Sequence, residues 1–133
     1  DKNIKSVFKD FDGDKMDDLL MTFDAEACTG HNGGTPTFAK IVFANGNNID
    51  IMNTIKKGIV DEYKKMQEKD KGLKKVNTEN FFNESVTLDS INSHVLGRFS
   101  LWTDNDAHYA PSYYGSYVYD TKNSSVTIKI AKN

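Results

Sequence analysis

Residues able to do chemistry are concentrated in one stretch, Asp10-Phe11-Asp12-Gly13-Asp14-Lys15-Met16-Asp17-Asp18. It carries five Asp and one Lys, a local charge of −4 in a chain whose formal net charge is −2. Everything outside these nine residues therefore sums to +2. Like charges a few ångströms apart repel by about 1 kcal/mol per pair in water, and by more where water is excluded. A loop built this way is costly alone and natural around a cation. Asp10, Asp12 and Asp14 stand at loop positions 1, 3 and 5, the alternation with which calcium loops present carboxylates, and Gly13 eases the bend. An EF-hand would close with Glu at position 12, but Met21 stands there, inside an apolar run. Closure falls instead to Asp18 at position 9, with the carbonyl of Met16 at position 7 as the backbone ligand. The expected metal set is Asp10, Asp12, Asp14, Met16 and Asp18, holding Ca2+ in a structural role. The residues leave open magnesium, or a solvated turn with no ion.

A nine-residue loop closed by Asp and running directly into Leu19-Leu20 resembles the calcium loop of the FG-GAP/VCBS repeats, D-x-[DN]-G-[DN]-G-x-x-D between two antiparallel strands. The resemblance implies side-chain ligation by Asp10, Asp12, Asp14 and Asp18, with Asp17 pointing outward. Lys15 stands where the repeats carry Gly. A single copy does not make the propeller that such repeats build. More broadly, this loop, its strand, and the run Thr29-Gly30 through Gly33-Gly34-Thr35-Pro36-Thr37-Phe38 resemble small exported bacterial domains over about the first 50 residues. That likeness implies an envelope or secreted protein and no catalytic residues.

Other chemistry is thinner. Cys28 and His31 lie three apart beside a Gly-rich turn, the types needed for a thiol nucleophile and its base, which defines a Cys28-dependent hydrolase as one alternative. His31, His94 and His108 lack the spacing of a zinc motif, and the glutamates show no paired pattern for glycoside hydrolysis. There is no P-loop, dinucleotide fingerprint or nucleophile elbow. Aromatic residues gather late in the chain. Trp102, Tyr109, Tyr113, Tyr114 and Tyr117, followed by Tyr119, read either as a contact surface for a protein or glycan or as a Tyr-rich sheet packed on a helix.

The elements that must position these residues are set by periodicity. Residues 4–11, 19–23 and 37–44 read as strands, and Asn45-Gly46-Asn47-Asn48 is a hairpin turn returning through Ile49-Asp50-Ile51-Met52. Ile59, Val60, Tyr63 and Met66 fall at helical spacing, predicting a helix over 59–72 that stops at Gly72. A loop or short helix comes next, at 77–82. Strands are expected over 85–91, 95–103, 113–120 and 126–130, with a turn at 121–124. The expected fold is α+β: a single domain over 1–133, mainly antiparallel sheet with one helix packed on it. Its β-rich halves would be 4–58 and 85–131.

Composition narrows the function classes. With 17 Lys+Arg against 19 Asp+Glu, the chain lacks the basic excess that nucleic-acid binding draws on. No apolar run is long enough for a membrane-spanning helix. One Cys excludes an intramolecular disulfide. The chain begins at Asp1 without Met and without a charged-then-apolar leader, as expected of a chain that has been either processed or trimmed. The reading is a non-enzymatic secreted or periplasmic domain, free or lipid-anchored through residues ahead of Asp1, with a calcium loop and a protein or glycan partner. The alternative is an envelope inhibitor or immunity-type protein that blocks a hydrolase or toxin.

Overall fold

The computed structural model describes residues 4–24, 37–79, 81–92 and 94–133. Strands β1 (Ile4–Lys9), β2 (Asp18–Asp24), β3 (Thr37–Val42) and β4 (Asn48–Asp50) form an antiparallel sheet in the order β1-β2-β3-β4. Side chains alternate across a strand, so each strand divides its residues between two faces. Leu20, Thr22, Ala39 and Ile41 are buried, and the register sets Leu20 against Ile41 and Thr22 against Ala39 on one face. Met21, Phe23, Phe38 and Lys40 occupy the other face and are exposed.

Helix α1 spans Ile51–Lys69, so it starts at Ile51 and not at Ile59. The return strand expected through Met52 therefore ends at Asp50, and residues 51–58 leave the β-rich half. The cause is a cap. Asp50 keeps an extended backbone, and its side chain accepts a hydrogen bond from the Asn53 N–H at 3.1 Å. Ile51, Ile55, Ile59 and Tyr63 then recur every fourth residue, and all are buried, each worth about 1.5–3 kcal/mol of removed apolar surface. The helix ends ahead of Gly72, where the Asp70 N–H donates to the Met66 carbonyl at 2.9 Å. Midway, Gly58 lies against Val126 near the end of the chain: a Cβ there would collide with Val126 Cγ1.

The second sheet holds β5 (Val76–Asn77), β7 (His94–Thr103), β8 (Tyr113–Asp120) and β9 (Ser125–Lys132) in that order, with β6 (Ser90–Ile91) also paired to β7. All of its pairings are antiparallel. A second helix, α2 (Phe81–Ser85), precedes β6: the loop or short helix expected at 77–82 is a short helix lying at 81–85. The described residues thus hold two helices, which corrects the expected fold of one helix on a sheet. Helix α2 takes the start of the strand expected at 85–91. Beyond α2 the chain still runs along β7: the Thr87 N–H donates to the Arg98 carbonyl and the Asp89 N–H to the Leu96 carbonyl, both at 2.8 Å.

The aromatic residues of this half mostly turn inward. Tyr113, Tyr117 and Tyr119 alternate along β8 on its buried face, and the Tyr63 and Tyr113 rings meet edge to face with centroids 5.2 Å apart. The Tyr117 hydroxyl donates to the Thr87 carbonyl at 2.6 Å, which satisfies the phenol inside the core. Trp102 is buried as well, its Nε1–H donating to the His108 carbonyl at 2.9 Å. Trp102, Tyr113 and Tyr117 are therefore not available as a contact surface. Of the five aromatic residues expected there, Tyr109 (88% exposed) and Tyr114 (45%) face solvent.

Candidate metal centre

The loop between β1 and β2 turns back on its own carboxylates. Asp10 Oδ1 accepts from the Gly13 N–H and Oδ2 from the Lys15 N–H, both at 2.7 Å. Asp12 Oδ1 accepts from the Asp14 N–H at 3.3 Å, and Asp14 Oδ1 from the Met16 N–H at 2.8 Å. Two left-handed residues allow this path, Gly13 at φ +83° and Lys15 at φ +70°. Gly takes that region freely, whereas a side chain there costs about 1–2 kcal/mol. Lys15 thus adopts the backbone that Gly would supply, held by its N–H bond to Asp10.

Two residues anchor the loop to the body of the protein. Phe11, between the first two aspartates, is buried in the core. Asp18 is 1% exposed, and its two oxygens accept from Phe11 N–H at 2.9 Å and Ala44 N–H at 2.8 Å. One carboxylate oxygen from each of Asp10, Asp12, Asp14 and Asp18 can be chosen so that all four lie within 4.8 Å of one another. This is the one group of three or more His, Cys, Asp or Glu side chains able to converge on a metal ion among the described residues. Such a cluster fits a hard cation by its donor chemistry: four carboxylates, with lone pairs remaining beyond those used by the amides.

Electrostatics shows the strain within the cluster. Desolvation, together with the neighbouring Asp10 and Asp14 carboxylates, raises the Asp12 pKa above the usual carboxylate value. Asp10 feels desolvation in the same sense, but the N–H groups of Lys15 and Gly13 and a bond with Asp12 outweigh it and lower its pKa. The two carboxylates therefore titrate together, with Asp12 holding its proton more tightly than Asp10. Lys122, from the turn between β8 and β9, reaches over the loop: a Cβ at Gly13 would stand 3.2 Å from its Cε and 3.7 Å from its Nζ. The spacing of the aspartates announces the cluster, but nothing local in the sequence announces Lys122 or the Ala44 amide, which arrive through the fold. Asp17 is exposed and lies outside the converging group.

Among the described residues, the other candidates do not join this site. Cys28 and His31 lie outside the described residues. His94 starts β7 and His108 lies in the loop after it; neither joins a metal-ligating group among the described residues. In that same loop, Asp106 draws the chain together, accepting from Thr103 N–H, Ser112 N–H and Ser112 Oγ–H at 2.8, 2.9 and 2.8 Å. No helix of the described residues is long and apolar enough to cross a membrane. No protein-family model, curated protein or solved structure matches the chain.

Proposed function

We propose that the chain is a non-enzymatic exported domain braced by one structural calcium ion, acting by binding a protein or glycan. The observation that carries this reading is the convergence of Asp10, Asp12, Asp14 and Asp18 oxygens within 4.8 Å. Those four carboxylates would hold the ion, with the Met16 carbonyl as a fifth donor, and the left-handed Lys15 supports a loop of the FG-GAP/VCBS kind. Bound there, calcium supplies charge neutralisation and fixes the β1–β2 turn. Asp18 links this turn to the end of β3, so a fixed loop also fixes that strand end. Exposed loops of this kind hold calcium at about 10⁻⁴–10⁻³ M in extracellular modules, which suits an exported protein bathed in millimolar calcium. Tyr109 and Tyr114 are the exposed aromatic residues of the second sheet and its loops, and they are the part of the expected contact surface that remains accessible.

The test is thermal unfolding in metal-free buffer with and without millimolar calcium chloride. At a dissociation constant near 10⁻⁴ M, calcium adds about 1.4 kcal/mol, a rise of a few degrees. Asp14→Ala should abolish the rise. An unchanged midpoint for the unsubstituted protein would remove the calcium reading.

A further inference from the structure

The outer face of the first sheet is apolar where an antiparallel sheet on a protein surface is ordinarily polar. Phe8 on β1 is 70% exposed, Phe23 and Phe38 are each 44% exposed, and Met21 is exposed between them. Phe23 and Phe38 are register partners whose rings stack with centroids 4.9 Å apart. They border a hollow of about 390 Å³ that also touches Met21, Ala39, Lys40 and Asp50. The opposite face of the same sheet is already buried in the core through Leu20, Ala39 and Ile41. Strands apolar on both sides belong to a sheet covered on both sides.

The charges on this face indicate what covers it. Among the described residues they are Lys40 and Asp50, opposite each other in the β3–β4 register. Neither forms a close salt bridge with another described residue, although Asp50 acts on Lys56 through its charge. The face is thus net neutral, which suits neither a polyanion nor an anionic lipid surface. A two-fold axis lying in the interface and passing between Lys40 and Asp50 would set Lys40 of each copy beside Asp50 of the other, and apolar surface against apolar surface. Strands about 4.8 Å apart, rising about 3.4 Å per residue, give roughly 350 Å² of flat sheet per copy before side-chain relief is counted. Over both copies that is about 700 Å², under the roughly 1,000 Å² that a stable interface clears, so the association it supports is weak. We infer that the outer face of the first sheet is the interface of a weak, two-fold symmetric dimer of this chain. The inference is independent of the calcium loop.

Sedimentation equilibrium of the whole chain, from low to high micromolar concentration, tests it. A reversible monomer–dimer equilibrium is expected, weakened about tenfold or more by Phe38→Ser. Lys40→Glu should weaken it too, and adding Asp50→Asn, which keeps a helix-capping side chain, should recover part of the loss. Tyr114→Ser, on the second sheet, should leave the equilibrium unchanged, and unfolding curves of each variant establish that it is folded. A monomer at every concentration overturns the proposal. So does a dimer indifferent to Phe38→Ser and Lys40→Glu, or one that only Tyr114→Ser disrupts.

Discussion

Asp18 Oδ1 accepts a hydrogen bond from the Ala44 N–H at 2.8 Å, joining the end of the acidic loop to the turn after β3. Its other oxygen holds Phe11 N–H, so one buried carboxylate satisfies two backbone donors. Removing it leaves both unsatisfied, at about 1–3 kcal/mol for each group that stays dry. Asp18→Ala should therefore destabilise the protein by about 2–4 kcal/mol in urea unfolding even without calcium. Asp18→Asn, which keeps one acceptor, should fall between. Asp14→Ala in metal-free buffer should cost much less, because Asp14 is exposed and accepts from one backbone amide, that of Met16. Equal losses for the Asp14 and Asp18 variants would contradict the anchoring role given to Asp18.

Lys15 offers a gain. Its left-handed backbone costs about 1–2 kcal/mol, and Gly removes that cost while adding about 0.5–1 kcal/mol of chain entropy in the unfolded state. In saturating calcium, Lys15→Gly should stabilise by about 0.5–1 kcal/mol. In metal-free buffer the gain should shrink, since the substitution also deletes a cation from a loop already rich in carboxylates. A loss of stability in calcium would mean that the side chain makes a contact worth more than the backbone relief.

The calcium effect should depend on pH in a set direction. Asp12 is raised by desolvation and by its carboxylate neighbours, so in the metal-free protein its proton is held more tightly than in the unfolded chain. That contribution favours folding in acid and is lost as pH rises through the folded Asp12 value. Asp10, held low against desolvation by its amide bonds, works oppositely and favours folding above the ordinary carboxylate range. A bound cation needs both ionised. The midpoint rise with calcium should thus be full near neutrality and fade as Asp12 takes up its proton in acid. Calorimetric titrations in buffers of different ionisation heat should show proton release on binding at mildly acidic pH. A rise independent of pH would place the ion away from Asp12.

Legibility in the sequence varied with the range of the forces involved. The acidic loop was legible because its members lie within nine residues and their repulsion is local. The strands were legible for the same reason, since period-two alternation needs no tertiary partner. The start of α1 was not: Ile49-Asp50-Ile51-Met52 alternates like a strand, and only the Asp50–Asn53 cap and the burial of Ile51 and Ile55 decide for helix. The tyrosines carried an ambiguity of chemistry. A phenol serves a surface or a core equally well until its hydroxyl finds a buried acceptor, as Tyr117 does at Thr87 and Tyr63 at Lys74. The apolar outer face of the first sheet was invisible because Phe8 and Phe23 resemble core residues in any local window.

Gly58 provides the sharpest test of how α1 meets the second sheet. In an exposed helix, Gly→Ala stabilises by about 1 kcal/mol through helix propensity. Here the added methyl would collide with Val126 Cγ1 on β9, and overpacking of that kind costs about 1–3 kcal/mol. The two effects oppose each other, and the collision should win: Gly58→Ala should lower stability by about 1 kcal/mol in denaturant unfolding. Val126→Ala clears the obstructing atoms, so in that background Gly58→Ala should become neutral or stabilising. The double-mutant cycle would then show a favourable coupling between two residues far apart in the chain. If Gly58→Ala alone raised stability by the full propensity gain, α1 could not rest on β9 at this point.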